Sequence, residues 1–323
     1  MSDSGEKARR EAWTAYWSSG RLHSCAEGTA DNYEGVISHF WRGIAERLRP
    51  TGRVLDLATG NGPLPLLFWQ QKAGDVRIDA VDMAKLSPSW HRPDLHGQIR
   101  FHPGVALESL PFADGVFDLV VSQYGIEYAD RNRAIAECAR VAASDATVAL
   151  VVHHTGSVLV AVGKEELAHQ ERLLAPDGLL ASARVVLPWI AHARAGQIGP
   201  DGSADQARRG YNQAMQDLGE AIAGSPAPDL LMEARANVHA WLSGVQSQSL
   251  PTTSSMLDAY AGQLEAARLR TSEMVDCALD QSGLDAMAGM PGAALPRHRI
   301  GCGELAQAEG VLGWTIVAVP EAG

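Results

Sequence analysis

The chain has 323 residues, 46% of them hydrophobic, and 27 basic against 38 acidic side chains give a formal net charge of -11. That length and apolar content suffice for a large buried core. The acidic balance, with basic clusters no longer than Arg297-His298-Arg299 and no aromatics interleaved, argues against nucleic acid and for a small-molecule partner.

The opening MSDSGEKARREAW is polar where a signal peptide needs an apolar centre, and no run reaches the ~18 apolar residues of a membrane span, so a cytoplasmic protein without a membrane is expected. Cys25, Cys138, Cys277 and Cys302 stand far apart with no CxxC pair, a pattern of reduced core thiols and of neither a disulfide framework nor a metal site.

In chain order, residues 1–49 read as helical. Trp13, Tyr16 and Trp17 recur at helical spacing, as do Tyr33, Ile37, Phe40, Trp41 and Ile44 beyond the loop SSGRLHSCAEGTADN. An aromatic stripe of this kind is usually core packing; the alternative is a ligand contact from Trp17 or Tyr33. From 53 to 153 the rhythm changes. RVLDLA, VRIDAVD, IRFHPG, FDLVVSQ and TVALVVHH read as strands, with helices at 63–72 and 131–142 between them. That alternation predicts a mostly parallel sheet covered by helices on both faces.

After His154 the pattern is helical near 157–174, 178–195, 203–223, 227–245 and 253–282, broken at APDG, GQIGPDGSAD, GSPAPD and SLPTTSS. RHRIGCGEL and GWTIVAVP then return to strand character, so the helical stretch is an insertion into a sheet that resumes after it. The chain accordingly divides into an N-terminal helical segment at 1–49, an α/β core at 50–156, a helical insertion at 157–283 and closing strands at 284–323.

The chemistry concentrates in DLATGNGP. Gly60 and Gly62 remove side chains where a ligand approaches the backbone, and Pro63 pre-sets helical φ at a position that needs no N–H. Asp56 ends the first strand at the rim where open α/β sheets bind ligands. Asp82 ends the second strand, twenty residues after Gly62, where an acid in nucleotide-binding folds accepts hydrogen bonds from ribose hydroxyls. Each acid also has a purely structural reading, Asp56 as a strand-end ion pair and Asp82 as a helix cap.

These residues resemble the class I S-adenosylmethionine-dependent methyltransferases over about 53–153. The family's first motif, an acid followed by alternating glycines, stands here as Asp56-Leu57-Ala58-Thr59-Gly60-Asn61-Gly62, with Ala58 in place of the first glycine. Asp82 and Met83 match the second motif, where an apolar side chain packs on adenine. ALESLPFADGVFDLVVSQYGIEY resembles the region around the fourth strand; the adenine-contacting acid falls on Ala106, followed by Leu107, so the acid is missing and a backbone group or Glu108 would replace it. Gln123 and Tyr124 fall beside the sulfonium and the acceptor.

The resemblance implies a Rossmann-like, mainly parallel seven-stranded sheet with an antiparallel last strand. It also implies S-adenosyl-L-methionine as cofactor, an N-terminal segment covering it, and a helical insertion after the fifth strand that caps a small-molecule methyl acceptor. The methylated atom is open among oxygen, nitrogen and carbon, and nothing visible calls for a metal.

His153 and His154 end the fifth strand at the same rim. An ordinary histidine suits a general base near neutral pH, and adjacent strand residues point to opposite faces, so one of the two is expected to reach the site. The competing reading for both is a hydrogen-bonded structural histidine. Two rival functions share parts of the pattern. A non-catalytic cofactor-binding scaffold fits the altered first glycine and missing acid, and a nicotinamide-dependent oxidoreductase shares the glycine turn but would place Pro65 where its fingerprint needs a small residue.

Overall fold

The computed structural model describes residues 3–24, 32–197, 202–245 and 250–321. Seven strands, β1 (Arg53–Leu57), β2 (Arg77–Asp82), β3 (Ile99–Pro103), β4 (Phe117–Gln123), β5 (Ala142–Val152), β6 (His298–Gln307) and β7 (Gly310–Pro320), form one sheet in the order β3-β2-β1-β4-β5-β7-β6. β1 to β5 are parallel, and β7 runs antiparallel to both β5 and β6. The strand order reverses between β1 and β4, which places a ligand-binding crevice at their carboxyl ends.

Both faces of the sheet are buried, which explains the unbroken apolar runs of its central strands. Alternation along β1 and β4 sends side chains to opposite layers. Leu55, Leu57 and Val120 join α4 (Arg131–Val141) and α10 (Gln281–Ala294) on one face. Val54, Leu119 and Val121 join α2 (Gly35–Glu46) and α3 (Pro63–Gln71) on the other, around the fully buried Trp41 and Phe68. The N-terminal helix α1 (Asp3–Ser18) is tied to the core through the Arg9–Glu273 ion pair at 2.5 Å.

The chain divides into two compact units, residues 1–161 with 273–323, and residues 162–272. The second is helical: most of α5 (Val158–Leu174), then α6 (Leu179–Arg194), α7 (Gly202–Gly224), α8 (Asp229–Ser243) and most of α9 (Leu250–Cys277). It has an apolar core of its own that includes Leu180, Leu187, Leu218, Leu231, Val238 and Leu257. Within the first unit, at the carboxyl end of β5, the Leu279 N–H donates to His153 O at 2.8 Å and the Thr155 N–H donates to Leu279 O at 3.0 Å.

Two sequence expectations change. The helix expected over 253–282 ends at Cys277, and Asp280 caps a separate α10 through the Gly283 N–H at 2.8 Å. Three glycines and Pro291 in α10 had masked its helical pattern. By length and composition, Val158–Arg194 is apolar enough to cross a membrane, against the expectation of no such run. That stretch is broken into α5 and α6 by the turn at 175–178.

Candidate active site

The turn between β1 and α3 carries three residues with left-handed backbone: Ala58 (φ 53°), Gly60 (φ 55°) and Gly62 (φ 78°). The turn is fixed by the two strand-end acids. Asp82 accepts the Gly60 N–H on Oδ2 at 2.9 Å and the Ala84 N–H on Oδ1 at 2.8 Å, while the Thr59 hydroxyl donates to Asp56 Oδ2 at 2.5 Å. Both acids are buried. Burial pushes the Asp56 carboxyl up to about 8, opposed by the Thr59 hydrogen bond and reinforced by the nearby Asp82. Asp82 rises only to about 6, because backbone N–H groups offset its burial.

Ala58 contributes strain. An alanine in the left-handed region costs about 1–2 kcal/mol relative to the ordinary helical one, and glycine relieves this while adding ~0.4–1 kcal/mol of unfolded-state entropy. Ala58→Gly is therefore expected to leave the chain as stable as before or up to about 1.6 kcal/mol more stable, which thermal denaturation would detect. The neighbouring Gly125 has no such latitude, since a Cβ on it would collide with the Ala58 methyl.

Gln123, at the end of β4, accepts the Trp41 indole N–H on Oε1 at 2.5 Å, and its Nε2 is buried with no hydrogen-bond partner. Together with Tyr33, Asp56, Ala58, Thr59 and Leu64 it lines a small cavity of about 10 Å³, room for roughly one water. Asp56, Ala58 and Gln123, three of the residues expected at the cofactor, thus line one space.

Aromatic rings lie against both turn glycines. A Cβ on Gly60 would come within 2.6 Å of the Trp17 ring, and one on Gly62 within 2.7 Å of Phe101. Asn61 holds this arrangement. Its Nδ2 donates to Trp17 O at 2.9 Å and Arg21 O at 2.7 Å, its Oδ1 accepts the Ser87 N–H, and its carbonyl accepts the Trp90 indole N–H at 2.7 Å. Nothing local to Asn61 signals this role, because its partners come from segments 26 to 44 residues away.

The adenine-side expectations separate. Met83 is half-buried beside Asp82, Ala106 is exposed, and the Leu107 side chain belongs to the core rather than to the turn. Glu108, the suggested replacement for the missing acid, accepts the Asp130 N–H at 2.9 Å.

The two histidines part company. His154 lies on Trp314 with ring centroids 4.3 Å apart and accepts the Gly156 N–H on Nδ1 at 2.7 Å, which is the structural reading. His153 stacks on Tyr124 at 4.3 Å, and its Nε2 lies 3.3 Å from the Tyr128 hydroxyl. Burial lowers its pKa to about 3, well below the ordinary histidine value that the expectation of a base poised near neutrality assumed. Among the described residues, no group of three or more His, Cys, Asp or Glu is placed to hold a metal ion.

Residues 54–145 match the sequence profile of a methyltransferase domain. That match covers under a third of the chain, from β1 into β5. The chain is 31% identical over 152 residues to an uncharacterised methyltransferase, YcgJ, of Bacillus subtilis, covering 46% of this chain and 58% of that protein. It is 32% identical over 133 residues to the ubiquinone/menaquinone biosynthesis C-methyltransferase UbiE of Citrifermentans bemidjiense, covering 38% and 56%. The solved structure of the Bacillus YcgJ protein overlaps 59% of this chain and 88% of that one, with 25% identity and a TM-score of 0.34. The chain thus spans less than two thirds of the length of these two curated relatives.

The methyltransferase domain has the chemistry for an amino-acid-bearing nucleoside. The buried Asp56 carboxyl suits an ammonium group, the unpartnered Gln123 Nε2 offers a donor beside it, and each Asp82 oxygen keeps a second acceptor direction after its backbone bond. On the Asp56 side the turn is closed in, since Trp17 rests on Gly60 and the cavity beside Asp56 is no larger than a water.

Proposed function

We propose that this protein is an S-adenosylmethionine-dependent methyltransferase acting on a small organic molecule. The observation that carries this reading is the pair of buried acids, Asp56 and Asp82, converging on one glycine turn next to the unpartnered amide of Gln123. The relatives named as methyltransferases support it.

When bound, the cofactor supplies a sulfonium methyl that a nucleophile can take by direct displacement. The chain's contribution is then placement. Asp56 holds the ammonium end, Asp82 the ribose hydroxyls, Met83 the adenine face, and the backbone at Ala106 and Leu107 the base edge. Holding two reactants aligned in a dry site is worth up to ~7–11 kcal/mol of the barrier. For the space to open, Trp17 has to leave the face of Gly60.

A second reading, a cofactor-binding scaffold without methyl transfer, is favoured by Ala58 in place of the first glycine and by the absence of an acid at Ala106. Incubation with deuteromethyl-labelled cofactor, in parallel with the small-molecule fraction of a cell extract and with total tRNA, separates these outcomes. Label in a small molecule is expected. Label only in tRNA would overturn the acceptor class, and cofactor binding with label in neither would favour the scaffold.

A further inference from the structure

Glu127 occupies the middle of a short 3-10 turn, Ile126–Tyr128, directly after β4, and is 3% exposed. Its Oε1 accepts the His153 N–H at 2.9 Å, which fixes the carboxyl at the end of β5. Its Oε2 is buried with no hydrogen-bond partner. An unpartnered carboxyl oxygen in the interior is costly unless something meets it.

The surroundings indicate what that is. Two residues earlier, Gly125 presses against Ala58 of the glycine turn. One residue later, Tyr128 sets its ring edge-on to Trp13 at 6.0 Å; Trp13 stacks on Trp17 at 5.8 Å, and Trp17 lies on Gly60. Glu127 therefore lies on the segment between the glycine turn and the end of β5. The groups facing it are Arg131 of α4, whose guanidinium donates to Cys277 O at 2.8 Å, Cys277 itself at the end of α9, and His153 of β5.

We propose that Glu127, through Oε2, takes up the proton released by the nucleophilic O–H or N–H of the methyl acceptor, with His153 as a positioning residue. This rests on the methyltransferase reading and narrows the acceptor to a hydroxyl- or amine-bearing molecule. In the step, the acceptor's lone pair forms the bond to the methyl carbon and the sulfur–carbon bond breaks with its electrons left on sulfur. The acceptor's proton passes to Glu127, which returns it to solvent after product leaves.

The ionisation behaviour of the cluster agrees. Burial pushes the Glu127 carboxyl up to about 7 against the opposing pull of backbone N–H groups and Arg131, whereas it raises the Cys277 thiol and lowers His153 to about 3. Of these groups, Glu127 is the one that exchanges a proton near neutral pH.

The test uses dicyclohexylcarbodiimide, an apolar reagent that modifies protonated carboxyl groups within its reach, on the full chain. An adduct at Glu127 is expected by peptide mapping at pH 6, falling roughly tenfold by pH 8 as the carboxyl ionises through about 7. E127Q keeps an oxygen for the His153 N–H, so it is expected to fold, to bind S-adenosylhomocysteine normally by calorimetry, and to lose about 10²–10⁴-fold of any methyl transfer detected with cell extract. No adduct at pH 6, an adduct insensitive to pH, or undiminished transfer by E127Q overturns the proposal. If S-adenosylhomocysteine binds while Glu127 stays unmodified, this inference alone fails; if it does not bind, the methyltransferase reading fails.

Discussion

Asp82→Ala is expected to weaken binding of S-adenosylhomocysteine by roughly 10²–10⁴-fold, the loss of two charge-assisted hydrogen bonds of ~1.5–3 kcal/mol each. The same change removes the acceptors of the Gly60 and Ala84 N–H groups, both in buried surroundings. Leaving two backbone donors unsatisfied costs ~1–3 kcal/mol apiece, partly offset because the carboxylate no longer has to be held ionised in the interior. Calorimetry and thermal denaturation on the same variant would separate the two effects. A folded Asp82→Ala variant with wild-type affinity would remove Asp82 from the site.

The second large effect is on pH dependence. The folded chain holds Asp56 near 8 and Asp82 near 6, both above the ordinary aspartate value of 3.8. A carboxyl raised in the folded state favours its protonated form, so the stability it contributes is full below about pH 4 and is lost as pH rises through 6 and then 8. The ligand-free chain should therefore melt at a lower temperature at pH 8 than at pH 5.

Binding runs the other way. An ammonium group opposite Asp56 requires the ionised carboxylate, so cofactor affinity should rise with pH by up to about tenfold per unit between pH 6 and 8, with a proton released on binding. Asp56→Asn should flatten this dependence and lower affinity roughly ten- to hundredfold through loss of a ~1.5–3 kcal/mol charged contact. Titrations at pH 6, 7 and 8, in buffers of different protonation enthalpy, would read both. An affinity that does not change with pH would mean that Asp56 takes no part.

The features legible in the sequence are those set by neighbouring residues. Asp56, Gly60, Gly62 and Asp82 follow from a strand ending in an acid, a turn needing left-handed backbone and a second strand of matching length, all within 27 residues. The antiparallel β7 and the helical insertion were also foreseen, the first from the family resemblance and the second from helical spacing between strand patterns. What escaped depends on tertiary packing. His153 looks like any strand-end histidine until Tyr124 and the end of β5 bury it and strip its basicity. Glu127 reads as a surface acid in YGIEYAD, and only the contact with a backbone N–H 26 residues later reveals that it is buried. Asn61, between two conspicuous glycines, is silent in the same way.

The most direct measurement of the central claim is an equilibrium titration of the purified chain with S-adenosylhomocysteine, run beside one with a nicotinamide dinucleotide. Saturable binding of one S-adenosylhomocysteine per chain, and none of the dinucleotide, is expected. Saturable binding of the dinucleotide with no response to S-adenosylhomocysteine would contradict it.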